Sequence, residues 1–149
     1  MKHNIQLCSL ENIERYGEIY AAAFSGEPWN DPWKPEDAAI HIRELMESKT
    51  AYGLEYVIDG EVAGFILGTS MLFHYGRTFE INDLAVDPIY QGRGIAKELM
   101  ERMLSDIKEK GISSHVRSFD RRWKRKRQRM ALVHTGVAMA DGGLTYVGI

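Results

Sequence analysis

The chain has 149 residues, a formal net charge of −2 and an apolar fraction of 44%. We expect a single domain over 1–149, with no overall preference for nucleic acid or for a membrane surface. Cys8 is the only cysteine and the N-terminus leads into no long apolar run, so we expect a cytoplasmic protein without a signal peptide. The longest apolar stretch, 62–73, is shorter than the roughly 20 residues of a membrane span.

The first third of the chain predicts one strand followed by two helices. The strand is expected at 5–8, and apolar residues at helical spacing indicate a helix over 11–24 with Ser9 as its N-cap. Two prolines and a glycine indicate a loop over 25–33. A second helix is predicted over 35–48, because Pro35 suits a first helical turn.

The middle of the chain predicts an antiparallel sheet and then a long helix. Strands are expected at 51–58, 61–73 and 78–86, since Asp59-Gly60 is a strong hairpin signal. An amphipathic pattern predicts a helix over 92–110. Further strands are expected at 112–116 and 144–149.

The segment that joins the third of these strands to the long helix carries the most specific motif, VDPIYQGRGIA. A helix N-terminus leaves four backbone N–H groups without intrahelical partners and carries partial positive charge. Gly92 and Gly94 lack a Cβ, so a phosphate can approach the main chain, and Arg93 adds a full charge. The motif therefore predicts a pyrophosphate site formed by Gln91, Gly92, Arg93, Gly94, Ile95 and Ala96.

The pattern Gln91-x-x-Gly94-x-Ala96 resembles the acyl-CoA-binding loop of the GCN5-related N-acetyltransferase (GNAT) superfamily. The order of elements through residue 111 is similar as well. The resemblance implies an α/β (α+β) GNAT fold, with a mixed, mostly antiparallel central sheet, helices on both faces and an atypical C-terminal third. It implies transfer of an acetyl group from acetyl-CoA to a primary amine by direct attack in a ternary complex. The alternative is a catalytically weak acyl-CoA-binding or sensing module with the same fold.

The resemblance also assigns roles along the strand 78–86. Its last residues would hold the pantetheine arm through their main chain, and a bulge there would supply an N–H for the oxyanion; these residues are Leu84, Ala85 and Val86. Glu80 matches the position of the general base in the histone-acetylating branch, and Asp83 is the alternative carboxylate. Strand alternation places Glu80 on the face of Leu84 and Asp83 on the opposite face. The competing interpretation is that Glu80 is an exposed strand residue paired with Arg77.

The loop between the first two helices covers the acceptor in the family. Here Trp29 and Trp33 offer flat apolar or cation–π walls, and Glu27 and Asp31 offer negative charge for an ammonium group. The alternative is that both tryptophans pack the loop onto the core. A small-molecule or peptide amine is expected, and a homodimer stays open. The five histidines are scattered singly, most of them expected at the surface, and no cluster has metal-ligand spacing.

The chain departs from the family after residue 111. Counting back from Gly136 places Leu132 where the family has the tyrosine that protonates the leaving thiolate, so the general acid is unassigned. Residues 117–129 hold eight of the nineteen basic side chains. Three interpretations stay open: a solvated surface segment, a patch for nucleic acid or for the phosphates of CoA, and a local frameshift across 117–131.

Overall fold

The computed structural model describes residues 2–26 and 30–112, and the backbone of three later strands. The strands are β1 His3–Leu7, β2 Ala51–Ile58, β3 Glu61–Phe73, β4 Gly76–Val86, β5 His115–Ser118, β6 Val137–Ala140 and β7 Gly143–Tyr146. The helices are α1 Ile13–Ser25, α2 Pro35–Met46 and α3 Ile95–Glu109, with short 3-10 turns at Leu10–Asn12 and Pro88–Tyr90.

The described strands form one seven-stranded sheet in the order β1-β2-β3-β4-β5-β7-β6. Every neighbouring pair is antiparallel except β4 and β5, which run parallel. The expected mixed, mostly antiparallel sheet is therefore confirmed. The prediction for the C-terminal region was less accurate, because β5 begins at His115 rather than at residue 112 and β6 had not been expected.

The sheet separates two apolar clusters. Buried residues of α3, including Leu99 and Met103, pack against one face. Buried residues of α1 and α2, including Tyr20 and Ile42, pack against the other face together with Phe65 of β3. Helices thus cover both faces, as expected. Each helix packs apolar residues against the sheet, although Ile40, expected on the apolar face of α2, is 56% exposed.

A buried carboxyl joins α1 to the sheet. The side chain of Glu55, in β2, is 1% exposed. It accepts hydrogen bonds from the Tyr16 hydroxyl, from Asn12 Nδ2 at 3.0 Å and from Gln6 Nε2 at 2.6 Å. These bonds offset the cost of burying the carboxyl and fix the N-terminal half of α1 across β1 and β2.

A β-bulge interrupts the pairing of β3 with β4. Leu67 lies opposite Asp83 and Gly68 lies opposite Ile81, so Asn82 is an additional residue on β4. Side chains before and after the bulge belong to the cluster under α3; they are Phe79, Ile81, Leu84 and Val86. The residues of β4 that face α3 therefore change from odd to even numbers at Asn82.

The bulge corrects the expected arrangement of the two carboxylates of β4. Glu80 lies between two residues that face α3, so its side chain faces α1 and α2. Asp83 contacts His41 of α2 and lies on that same side. The expectation that Glu80 shares a face with Leu84, opposite Asp83, is therefore wrong, since simple alternation does not continue through a bulge.

Gly68 permits the close approach of β3 and β4 at this bulge. A Cβ at this position would lie 2.4 Å from the carbonyl oxygen of Glu80 and 2.4 Å from Cε1 of Phe79. A methyl group therefore cannot be accommodated without moving β4.

We expect Gly68→Ala to lower the free energy of unfolding by about 1–3 kcal/mol, because overpacking forces the backbone to shift. Urea unfolding followed by circular dichroism measures this change. Gly26→Ala is the matched control, since a Cβ at Gly26 meets nothing within 4 Å. Equal unfolding midpoints for the two variants would contradict the explanation.

Candidate active site

The loop before α3 forms an open cleft with exposed backbone. Gly92 and Gly94 both adopt φ +82°, a conformation that glycine tolerates without strain. Gly94 is the N-cap of α3, and its carbonyl accepts the first helical hydrogen bond from Glu98 N–H at 3.0 Å. The cleft is lined by Val86, Tyr90, Gln91, Gly92, Gly94, Ile95 and Ala96. The predicted helix start at residue 92 is three residues early, because the two glycines turn the chain before the helix begins.

A charged side chain from α1 holds the start of this loop. Arg15 Nη2 donates to Asp87 Oδ2 at 2.7 Å, and Arg15 Nε donates to the Val62 carbonyl at 3.1 Å. Asp87 Oδ1 also accepts from Ile89 N–H at 3.1 Å. Sequence reasoning missed Arg15, since it lies 72 residues before Asp87 and no local pattern joins them.

The loop also contacts the end of β4. Gln91 Nε2 donates to the Val86 carbonyl at 3.0 Å. Arg93 lies over the ring of Tyr90, with its guanidinium carbon 5.4 Å from the ring centroid. The first residue of the predicted phosphate motif therefore anchors the loop, while exposed Arg93 stays beside the cleft.

On one edge of β4, the described pairing stops at the bulge. Pairing with β5 runs from Thr78 to Ile81, and no other described strand pairs with that edge further along. Asp87 N–H bonds to the Ala63 carbonyl of β3 at 2.8 Å. In an antiparallel ladder the bonding direction alternates, so the N–H and C=O groups of Leu84 and Val86 point to the opposite edge.

The residues predicted to hold the pantetheine arm are buried. Leu84, Ala85 and Val86 are 7%, 3% and 3% exposed, so all three belong to the core. The bulge expected around Leu84–Val86 lies slightly earlier, at Asn82, and Leu84 is the first residue after it whose main chain points away from β3.

The two candidate carboxylates differ in their surroundings. Glu80 is half-buried and accepts a hydrogen bond from Asn82 Nδ2 at 3.2 Å. Asp83 is 4% exposed at its side chain, and its Oδ2 lies 2.9 Å from His41 Nε2. The Tyr20 hydroxyl bonds to Asp83 as well. Arg77, the alternative partner of Glu80, donates to Ser70 Oγ at 3.1 Å.

Three rings form a cluster next to Asp83, and two of them, Tyr20 and His41, contact its carboxylate. The Tyr20 and Trp33 centroids are 5.2 Å apart, those of Tyr20 and His41 5.2 Å, and those of Trp33 and His41 5.5 Å. Hydrogen bonding to Asp83 raises the pKa of His41 above 6.5. Burial raises the pKa of Asp83, while the hydrogen bonds from His41 and Tyr20 oppose that rise.

The sequence predicts that His41 is one of several isolated histidines, most of them at the surface. The structure pairs it with a carboxylate 42 residues away. The available signal was its position on α2, three residues after Ala38 and next to Ile42, both fully buried. That position places His41 at the border of the buried face of the helix.

The acceptor loop is described in part. Glu27 and Trp29 lie outside the described residues, as do Leu132 and most of the basic segment. Asp31 is half-buried, and its N–H bonds to the Phe24 carbonyl at 2.8 Å. Trp33 packs against the α1–α2 cluster, so it contacts both the core and His41.

Cys8 is not suited to nucleophilic chemistry. Burial raises the pKa of its thiol to about 12, so the thiol is protonated at neutral pH. Within the described residues, no group of three or more His, Cys, Asp or Glu side chains is arranged to bind a metal ion. None of the helices in the described part of the chain has the length and apolarity needed to span a membrane.

Comparison with known proteins identifies the family. The model of the acetyltransferase (GNAT) family matches residues 13–125, about three quarters of the chain. N-alpha-acetyltransferase RimI of Mycobacterium tuberculosis is 33% identical over 97 residues, which cover 62% of this chain and 54% of that protein. The chain thus spans about half the length of this relative, and 28% of an uncharacterized Mycobacterium leprae protein that is 27% identical. The chain belongs to the GNAT acetyltransferase family.

Solved structures share the fold at lower identity. The PaiA N-acetyltransferase of Thermoplasma acidophilum, solved with coenzyme A, has a TM-score of 0.74, 18% identity and full coverage of both chains. A ribosomal-protein-alanine N-acetyltransferase of Brucella melitensis has a TM-score of 0.69 and 19% identity, with 94% of each chain covered. An aminoglycoside acetyltransferase from a soil metagenome, solved with sisomicin, has a TM-score of 0.67 and 19% identity, covering 89% of this chain and 87% of that one.

Removing the contact between α1 and the loop should weaken cofactor binding. We expect Arg15→Ala to raise the Kd for acetyl-CoA about tenfold, equivalent to about 1.4 kcal/mol, because the loop is no longer held before the ligand binds. Isothermal titration calorimetry measures the Kd. Arg102→Ala is the control, since Arg102 also pairs with an aspartate, within α3. Unchanged affinity in Arg15→Ala would contradict the role of this contact.

Proposed function

We propose that residues 1–149 form a single acyl-CoA N-acyltransferase domain that transfers acetyl from acetyl-CoA to a primary amine by direct attack in a ternary complex. The observation that carries the proposal is that two structural features lie next to each other, the glycine cleft and one edge of β4. The glycine cleft at the start of α3 continues into the open edge of β4, so a phosphate group and an extended chain can bind side by side.

Acetyl-CoA would bind along this path through main-chain groups. Its pyrophosphate would accept hydrogen bonds from N–H groups at residues 92–96, where the N-terminus of α3 adds favourable charge, since the Gln91 N–H already donates to the Pro88 carbonyl. Its pantetheine amides would pair with the edge groups of Leu84 and with the Val86 N–H, as a peptide adds to a sheet, while the Val86 carbonyl accepts from Gln91. Arg93 would contribute charge without defining the geometry.

The acetyl carbonyl would then lie near the bulge. The Leu84 N–H is the first edge donor beyond the pairing with β5, so it is our candidate for stabilising the tetrahedral oxyanion. The amine nitrogen forms a bond to the carbonyl carbon, and the carbon–sulfur bond breaks. A thiolate has a pKa near ~8.5, so it can leave without a dedicated acid.

Glu80 is our candidate for accepting a proton from the amine nitrogen as this bond forms. Glu80 lies before the bulge on the strand that would carry the cofactor, and it faces the α1–α2 side, where the acceptor loop also lies. The carboxylate is half-buried, so an amine or a single water can reach it.

The names of the relatives indicate which amines to test first as acceptors. One curated relative is named as an N-alpha-acetyltransferase, and one solved neighbour as a ribosomal-protein-alanine N-acetyltransferase. A peptide with a free N-terminal alanine is therefore the first acceptor to test. An aminoglycoside is the second, because one neighbour was solved with sisomicin.

The proposed activity predicts that free CoA thiol is released when the protein is mixed with acetyl-CoA and an amine. The panel contains an alanine-initiated peptide, lysine, spermidine and sisomicin, and thiol is measured with a chromogenic disulfide. Gly94→Val is the control, because a β-branched residue does not fit φ +82° and should abolish the release. Binding of acetyl-CoA without any thiol release would favour the sensing module instead.

Glu80→Gln should lower kcat by about 10²-fold or more, the usual contribution of a general base, and leave the Kd for acetyl-CoA nearly unchanged. Steady-state kinetics and calorimetry separate these two quantities. Glu61→Gln is a control on an exposed glutamate of β3. Unchanged turnover in Glu80→Gln would refute this role.

A further inference from the structure

Acetylation of an ammonium group requires two proton transfers. The balanced reaction converts R–NH₃⁺ and CH₃CO–S–CoA into R–NH–COCH₃, HS–CoA and H⁺. One proton therefore ends on the thiol, and the other must leave to solvent before the amine lone pair can attack. Glu80 and the thiolate account for only one of these protons.

His41 and Asp83 have the geometry of a proton-accepting pair. Asp83 is buried at the bulge, and its Oδ2 lies 2.9 Å from Nε2 of His41. The His41 side chain is 37% exposed, so one end of the pair is buried and the other reaches solvent. Among the described residues, His41 Nδ1 has no hydrogen-bond partner. That nitrogen is therefore available to a ligand or to water.

The surroundings of His41 place it in the acceptor region. Trp33, from the loop that we expect to cover the acceptor, packs 5.5 Å from the imidazole between ring centroids. Tyr20, from α1, contacts the same ring and bonds to Asp83. The pair thus lies between the acceptor loop and the strand that would carry acetyl-CoA.

We propose that His41, oriented by Asp83, accepts the first proton from the acceptor ammonium and passes it to solvent. This inference rests on the proposed function. Nε2–H of His41 donates to Asp83, which leaves the lone pair of Nδ1 free to accept a proton. The buried carboxylate then stabilises the imidazolium that forms, as in other carboxylate–histidine pairs. His41 is a catalytic residue in this scheme, and Asp83 is a positioning residue.

The charges around His41 favour this role. Asp83 faces it from β4, the Tyr20 hydroxyl and ring from α1, and Glu44 lies on its own helix. Both acidic groups favour the protonated imidazole. At a pH above the His41 pKa the ring is neutral and able to accept a proton, so the rate should increase as the pH rises through this value.

The pH dependence of kcat/KM tests the inference, with the most active amine of the panel as the probe. In His41→Gln, whose amide still donates to Asp83, we expect a loss of about 10- to 100-fold at pH 7. The rising limb should move toward the pKa of the free amine, about 8 for an N-terminal amine and about 10 for an alkylamine. Above that pH the amine binds without its extra proton. The kcat/KM of His41→Gln should therefore return toward the wild-type value, whereas that of Glu80→Gln should stay low.

Two further variants complete the experiment. Asp83→Asn should lower the pKa of the His41 ring in an NMR titration, which needs no substrate, and should therefore move the rising limb of the pH profile to lower pH, opposite to the shift in His41→Gln. His3→Gln, on an exposed histidine of β1, should keep the wild-type profile. Thermal unfolding verifies that each variant is folded.

The outcomes separate the two proposals. No thiol release by the wild-type protein with any amine would contradict the proposed function, and His41 would then have no catalytic role to fill. An active wild type with an unchanged profile in His41→Gln would overturn only the role of His41. A loss that is equal at every pH would also overturn it, since that result indicates a structural role.

Discussion

The bulge at Asn82 is the constraint on which the candidate site depends. One additional residue in β4 brings two carboxylates to the same face, whereas regular alternation would have separated Glu80 from Asp83. It also lies where pairing with the described part of β5 ends. Gly68, opposite the bulge, has no room for a side chain. The end of that pairing and the placement of the carboxylates thus coincide at one residue.

Helix α1 connects the two halves of the site. Near its start Arg15 holds Asp87 and the glycine loop before α3, and further along Tyr20 bonds to Asp83 beside His41. The helix is itself fixed to the sheet by the hydrogen bonds to buried Glu55. A displacement of α1 would therefore disturb both regions, which gives residues distant from the chemistry an effect on it.

The ionisable groups differ in burial, and burial limits the chemistry that each can perform. Asp83 is too buried to contact an amine itself. It can orient the partly exposed His41 and favour its protonated form. Cys8 is also enclosed, and burial keeps its thiol protonated, which agrees with direct attack rather than an acyl-enzyme. Exposed polar groups without such partners would not acquire these properties, because water screens them.

The sequence by itself determined the helices, the antiparallel strands and the glycine loop. These features depend on local periodicity, turn residues and backbone freedom, which are visible within a short window. It also identified the GNAT family, since the loop and its flanking elements are contiguous. Glu80 and Asp83 were found as candidates, but their relative placement was not.

Only the tertiary structure decided how those residues meet. The bulge arises from the register between two strands, and one additional residue reverses the face of every residue that follows. The Arg15–Asp87 and His41–Asp83 contacts join residues 72 and 42 positions apart, and no local pattern encodes such contacts. The order of the chain thus determined the elements and the loop, whereas the packing of α1 and α2 on a bulged strand determined how Glu80, Asp83 and His41 are placed.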